Sequence, residues 1–155
     1  MKKLMCFILA LMSMSAYAIS LPVTEGMVNS QVSKSFPKTI KKIELSNPQI
    51  VLLDGGKSVL CMDGLPRIMF LDKSFKFCAT FKPQWNEQLT QLEATHLELT
   101  DMDIQGVGTV SKDLKVILNE VLIGLEPVVL YKSDSWLMKQ VSSIEVEKGM
   151  MYLKF

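Results

Sequence analysis

Phe75-Lys76-Phe77-Cys78-Ala79-Thr80-Phe81-Lys82 is the stretch whose reading decides the fold. Phe75, Phe77, Ala79 and Phe81 alternate with Lys76, Cys78, Thr80 and Lys82. A period of two marks a β-strand with one face on a core and the other in water. Such a strand needs partners, and the flanking sequence supplies them. Upstream, Ile43 and Leu45 alternate with polar residues, Asn47-Pro48 breaks the run, and Ile50 to Leu53 continues it. Asp54-Gly55-Gly56-Lys57 then reads as a hairpin turn. A second strand starts at Ser58, is interrupted at Gly64-Leu65-Pro66, resumes through Phe70 and turns at Asp72-Lys73-Ser74. Downstream, after Pro83 to Asn86, a further strand runs to Ile104. Its apolar parity shifts from Leu92/Ala94 to Leu97/Leu99 to Met102/Ile104, which predicts bulges near Thr95 and Thr100. Four consecutive strands joined by short turns make an antiparallel meander.

Helical periodicity brackets the meander. Thr24 is placed as an N-cap, with Met27, Val28, Val32 and Phe36 on one face and Pro37 ending the helix. Gly106 and Gly108 release the chain into a second helix, capped by Ser111 and stopped at Gly124. Its Leu114, Ile117, Leu118, Val121, Leu122 and Leu125 fit the amphipathic template throughout. That broad stripe is expected to pack on the Phe75/Phe77/Phe81 face. Pro127 to Tyr131 reads as a short strand, Ser133 to Gln140 as a short helix, and Ile144 to Phe155 as an extended segment turning at Lys148-Gly149.

The first eighteen residues are expected to be removed. Lys2 and Lys3 precede an apolar run, Leu4 to Met14, and Ala16-Tyr17-Ala18 supplies the small-x-small pattern of a signal-peptidase site. The run is about half the ~20 residues that span a bilayer, so it reads as a leader rather than an anchor. Cys6 lies inside the run, not after its end, and is not read as a lipidation site. The expected organisation is a signal peptide over 1–18 and a single domain over 19–155, soluble in the periplasm with no stable transmembrane anchor. The leader holds no acid, so residues 19–155 carry 15 basic and 16 acidic side chains. That balance gives no electrostatic ground for nucleic acid or an anionic membrane as partner.

In this order the parts resemble the YceB-like family of small bacterial envelope proteins, known mainly as a domain of unknown function. The resemblance rests on Val23-Thr24-Glu25 before a helix ending at Phe36-Pro37, then a long meander and a single amphipathic helix. It continues in Glu126-Pro127-Val128-Val129-Leu130 and closes on Ile144-Glu145-Val146-Glu147-Lys148-Gly149-Met150-Met151-Tyr152-Leu153. It implies an α+β fold: a curved antiparallel meander wrapped around the long C-terminal helix, with an N-terminal helix, similar to tubular lipid-binding modules. The family's better-known members carry a lipidated cysteine after the signal, whereas Ala18 is followed here by Ile19.

The sequence offers little chemistry. His96, the sole histidine, has no catalytic signature around it. Glu98, Asp101 and Asp103 lack the glycine-containing loop of a calcium site, and Gly106-x-Gly108 lacks the rest of a phosphate loop. No cofactor, metal site or enzymatic activity is expected, and a hydrolase least of all. Cys61 and Cys78 both fall on the polar face. A turn at Asp72-Lys73 would offset them by several residues, so they are expected to remain unpaired thiols. The apolar face remains. Leu60, Met62, Phe75, Phe77, Phe81, Leu97 and Leu99 on the strands, with Leu114, Ile117, Leu118 and Val121 on the helix, are the candidate lining of a channel for a lipid or other long apolar ligand. A cavity-narrowing change, Ala79→Leu, is expected to obstruct that channel at little cost to stability. The alternative is a protein-interaction module of an envelope assembly, with a filled core and no ligand. It would offer a sheet edge or the segment Met150 to Phe155 to an envelope protein partner.

Overall fold

The computed structural model describes residues 19–56, 58–67, 74–103 and 112–155. The expected leader, Lys57, the turn at Asp72-Lys73, Gly106-x-Gly108 and the Ser111 cap lie outside them. Strand dominates what is described. In chain order the elements are β1 (Ser20–Thr24), α1 (Glu25–Ser33), β2 (Lys38–Ile40), β3 (Ile43–Val51), β4 (Ser58–Pro66), β5 (Phe75–Asn86) and β6 (Gln91–Asp103). There follow α2 (Lys112–Leu125), β7 (Val128–Lys132), a 3₁₀ turn (Trp136–Gln140), β8 (Ser143–Glu147) and β9 (Met150–Lys154).

The meander of the sequence reading is present and larger than expected. β2 through β7 form one antiparallel sheet in sequence order, curled into a half-barrel. Three breaks expected in its strands are absorbed instead. β3 runs through Asn47-Pro48 with a register shift between Ser46 and Gln49, where Asn47 takes a positive φ of 50°. β4 continues through Gly64 to Pro66, and β5 through Pro83 to Asn86. Gly64 tolerates this because Phe75, its partner in the ladder, lies flat over it. A Cβ at Gly64 would sit 2.7 Å from the Phe75 ring. The expected bulges in β6 are there. Thr100 is the extra residue between the Cys78↔Asp101 and Ala79↔Leu99 pairs, and a second bulge follows Thr95, where His96 has φ 55°.

The wrapped helix is not there. The architecture implied by the family resemblance is overturned: among the described residues strand predominates, and no long C-terminal helix is enclosed by the sheet. Both helices instead bridge the two sides of the half-barrel's open mouth. The nine-residue α1 packs on β3 and β7, and the fourteen-residue α2 on β6 and β2. Gly124 is not the stop, since α2 continues to Leu125. Its missing Cβ allows close approach to β2, where an added one would meet Ile40 at 3.0 Å. Thr24 does cap α1, its Oγ1 accepting from the Met27 N–H at 3.2 Å. The helix ends at Ser33 rather than Phe36. Val28 and Val32 are buried, but Met27 is exposed.

The two ends of the chain form a second, three-stranded sheet in the order β1-β9-β8. Lys148-Gly149 makes the β8–β9 turn as expected, with Gly149 at φ 78°. The lead-in residues 20–24, unassigned from sequence, pair with β9 from Ser20↔Lys154 to Thr24↔Met150. Hydrogen bonds tie this sheet and α1 to the end of β3. The Asn29 side chain donates to the Ile50 carbonyl at 3.0 Å and accepts from the Ile50 N–H at 2.7 Å, as a neighbouring strand would. Four residues earlier, a Glu25 carboxylate oxygen accepts from the Leu52 N–H at 3.0 Å. Gly149 N–H donates to the Leu52 carbonyl at 3.0 Å, and Asp54 Oδ1 accepts from the Lys148 N–H at 2.7 Å.

The cysteine expectation is corrected. Cys61 and Cys78 are directly opposed in the β4–β5 ladder and form a disulfide, with Cα atoms 4.1 Å apart. They are on the outer face, as the polar parity of their neighbours requires. The error lay in the turn: the ladder from Ser58↔Phe81 to Gly64↔Phe75 is centred nearer to residues 69 and 70 than to Asp72-Lys73.

Thiol counting on residues 19–155, unfolded and unreduced, should therefore find no free thiol. Replacing both cysteines by alanine should cost about 3 kcal/mol, as expected for releasing a loop of this size from its cross-link. Asn29→Ala should cost ~1–3 kcal/mol in urea denaturation by stranding the Ile50 N–H and carbonyl. Asn29→Asp, which keeps the acceptor, should cost less.

Candidate functional site

The inward side chains of the sheet, the buried faces of both helices and residues of the small sheet form one core. Seven of the candidate channel residues lie deep within it. Leu60, Leu118 and Val121 are 0% exposed, Phe77 1%, Met62 and Phe81 2%, and Phe75 5%. A side chain with no accessible surface has protein atoms on every side, so no ligand-sized channel passes it as the molecule stands.

Of the other four candidates, Leu97 is still buried and three lie where the packing loosens. Leu97 is 8% exposed, Leu99 and Leu114 are half-buried against the core margin, and Ile117 is 39% exposed. Ile117 does not belong to the buried stripe. Successive helical residues turn by about 100°, and Ile117 sits roughly a quarter-turn from the stripe's centre, which Leu118, Val121, Leu122 and Leu125 define. The seam between β6 and α2 is thus graded. It is closed where Leu118 to Leu125 pack, and more open towards the first turns of α2.

Glu126 holds the closed end of this seam. Its side chain accepts from the Leu97 N–H at 2.5 Å, satisfying β6 just after its His96 bulge. This role was missed from sequence, where Glu126 figured only within a family motif. Asn29 and Glu25 were missed as well. A poor helix former in the middle of a nine-residue helix was the available signal for Asn29.

Two open clefts flank α1. One, of about 670 Å³, is lined by Asn29, Ser33, Phe36, Pro37, Glu44 and the bulged segment 46–49 of β3. The other, of about 480 Å³, lies towards Tyr131 and Lys132 of β7. Neither cleft includes any of the eleven candidate residues. Catalytic chemistry is not assembled at either. His96 is exposed, and its Nδ1 lies 3.1 Å from the hydroxyl of its neighbour Thr95. Glu98 and Asp101 are exposed on β6. Among the described residues no three His, Cys, Asp or Glu side chains are grouped as a metal site would require. Glu93, buried, accepts hydrogen bonds from Asn86 at 3.0 Å and Gln91 at 2.6 Å, which ties the β5–β6 turn together.

The packing also corrects the expected behaviour of Ala79→Leu. Ala79 is fully buried opposite Leu60 and Leu99, so the larger side chain has nowhere to go. The substitution should cost ~1–3 kcal/mol and lower the melting temperature measurably. No protein-family model matches the chain and no curated protein is similar to it, so a functional reading rests on this geometry alone.

Proposed function

We propose that the protein is a non-enzymatic binding protein of the cell envelope that takes up a long apolar chain at the open end of the β6–α2 seam. The observation that carries the reading is the burial gradient along one continuous apolar surface. Leu118, Val121 and Leu97 are closed over, whereas Leu99 and Leu114 on the same surface are only half-buried. A ligand methylene seated there gains ~0.8 kcal/mol, so eight of them give ~6 kcal/mol gross. Association costs several kcal/mol, which would leave the affinity weaker than millimolar, so saturable binding requires the seam to open and seat more of the chain. The reading includes export by the leader over 1–18 and residence in the periplasm. The motif order is the ground for grouping the chain with the YceB-like envelope proteins. The wrapped-helix architecture is not part of it.

The alternative, an interaction module, loses one of its two proposed surfaces. Met150–Lys154 is the central strand of the small sheet, paired on both sides, and so is not free to receive or donate a strand.

Delipidated protein titrated with a fluorescent long-chain fatty acid should show saturable binding. Leu99→Asn and Leu114→Asn should each weaken it by about tenfold, the equivalent of ~1.4 kcal/mol of lost apolar contact. Melting temperatures, measured in parallel, should remain within a few degrees of the parent because both sites lie at the core margin. Absence of saturable binding, together with no lipid mass on the natively purified protein, would refute the reading.

A further inference from the structure

α2 buries one apolar face in the core and also presents two large apolar side chains on the opposite side, with Asn119 and Glu120 between them. Val116 is 57% exposed and Ile123 71%, two turns apart on the side opposite Leu118 and Leu125. A helix in a globular protein ordinarily turns polar residues outward, so two large β-branched side chains exposed in register on that side are available to a second environment. On one flank of this outer face stands the β2–β3 hairpin. Its Lys41 Nζ lies 4.0 Å from the Glu120 carboxylate of α2. The hairpin turn consists of Lys41 and Lys42 alone, both at positive φ, 50° and 64°, between the paired residues Ile40 and Ile43. The backbone therefore fixes two lysines at a tight tip, where asparagine and glycine would be the easy choices. Lys115 lies on the other flank of the helix, about 100° round from Val116 and away from Glu120.

The described charged side chains flanking this face are Lys41, Lys42 and Lys115 against Glu120, a local positive excess within the near-neutral total.

We propose that this face of α2, with the Lys41-Lys42 tip, docks on an anionic lipid bilayer. A second protein chain is the poorer fit. A convex helix showing a few separated apolar side chains falls short of the ~1,000 Å² or more that a stable interface buries. Insertion of the same side chains at the headgroup boundary, with lysines among anionic headgroups, suffices for reversible surface binding. The proposal rests on the apolar-ligand reading for its purpose, not for its physics.

The test is co-sedimentation of the processed protein with vesicles. It should pellet with vesicles of phosphatidylethanolamine and phosphatidylglycerol, be released as salt is raised, and bind phosphatidylcholine vesicles far less. The double variant Val116→Ser/Ile123→Ser should lose about tenfold in partitioning, and Lys41→Gln/Lys42→Gln a comparable amount. Leu89→Ser, which removes an apolar side chain 56% exposed on the β5–β6 turn, should behave as the parent. All variants share one N-terminus, so differences among them report on the patch, and melting temperatures exclude unfolding. Equal binding by the parent and the Val116/Ile123 variant, or equal binding to anionic and neutral vesicles, overturns the proposal. So does self-association of the parent that this variant abolishes. Fatty-acid titration without vesicles separates the two readings. Ligand binding without vesicle binding refutes the docking alone, and vesicle binding without ligand binding supports the docking while refuting the carrier.

Discussion

The edge of β3 beyond Leu45 is the constraint on which the assembly turns. β2 covers β3 only from Ile43 to Leu45, and the curled sheet does not close on itself to supply another strand. The N–H groups of Ile50 and Leu52 and their carbonyls would otherwise be buried without partners, at ~1–3 kcal/mol each. Asn29 and Glu25, one turn apart on α1, and Gly149 from the β8–β9 turn take the place of the missing strand. Because these groups must meet a strand's hydrogen-bonding pattern, they also fix where α1 lies. Val28 and Val32 are thereby pressed into the core between β3 and β7, and the chain's two ends are joined to the middle of the fold.

The two faces of the sheet are held by different means. Inside, small residues make room for large ones, as Gly64 does under Phe75 and Ala79 between Leu60 and Leu99. Outside, the Cys61–Cys78 bond pins the register of β4 on β5 without taking part in the core. Register matters because a one-residue slip would turn the phenylalanines outward. With the inner face closed so tightly, function is displaced to the margin. The seam loosens at Leu99 and Leu114, and the helix that forms it presents Val116 and Ile123 to its surroundings.

Much of the fold was legible in the sequence, since alternation and helical periodicity record which side chains face the core. That sufficed for the meander, for both helices, for the β6 bulges near Thr95 and Thr100 and for the Lys148-Gly149 turn. The buried side of α2 was legible too, apart from Ile117, which a template of spacings admits but the helix's rotation carries to the surface.

What the sequence determined by itself, then, was which segments are strand or helix and which face of each is apolar, because both are local properties of a few neighbouring residues. Only the tertiary structure decided the rest. The opposition of Cys61 and Cys78 depended on where an eight-residue connection, 67–74, centres its ladder. The pairing of residues 20–24 with the final strand joined segments more than a hundred residues apart. Whether the helix is enclosed by the sheet or spans its mouth depended on how far the sheet curls and which edges remain to be satisfied. These are sums over many distant contacts, and no short stretch of sequence carries them.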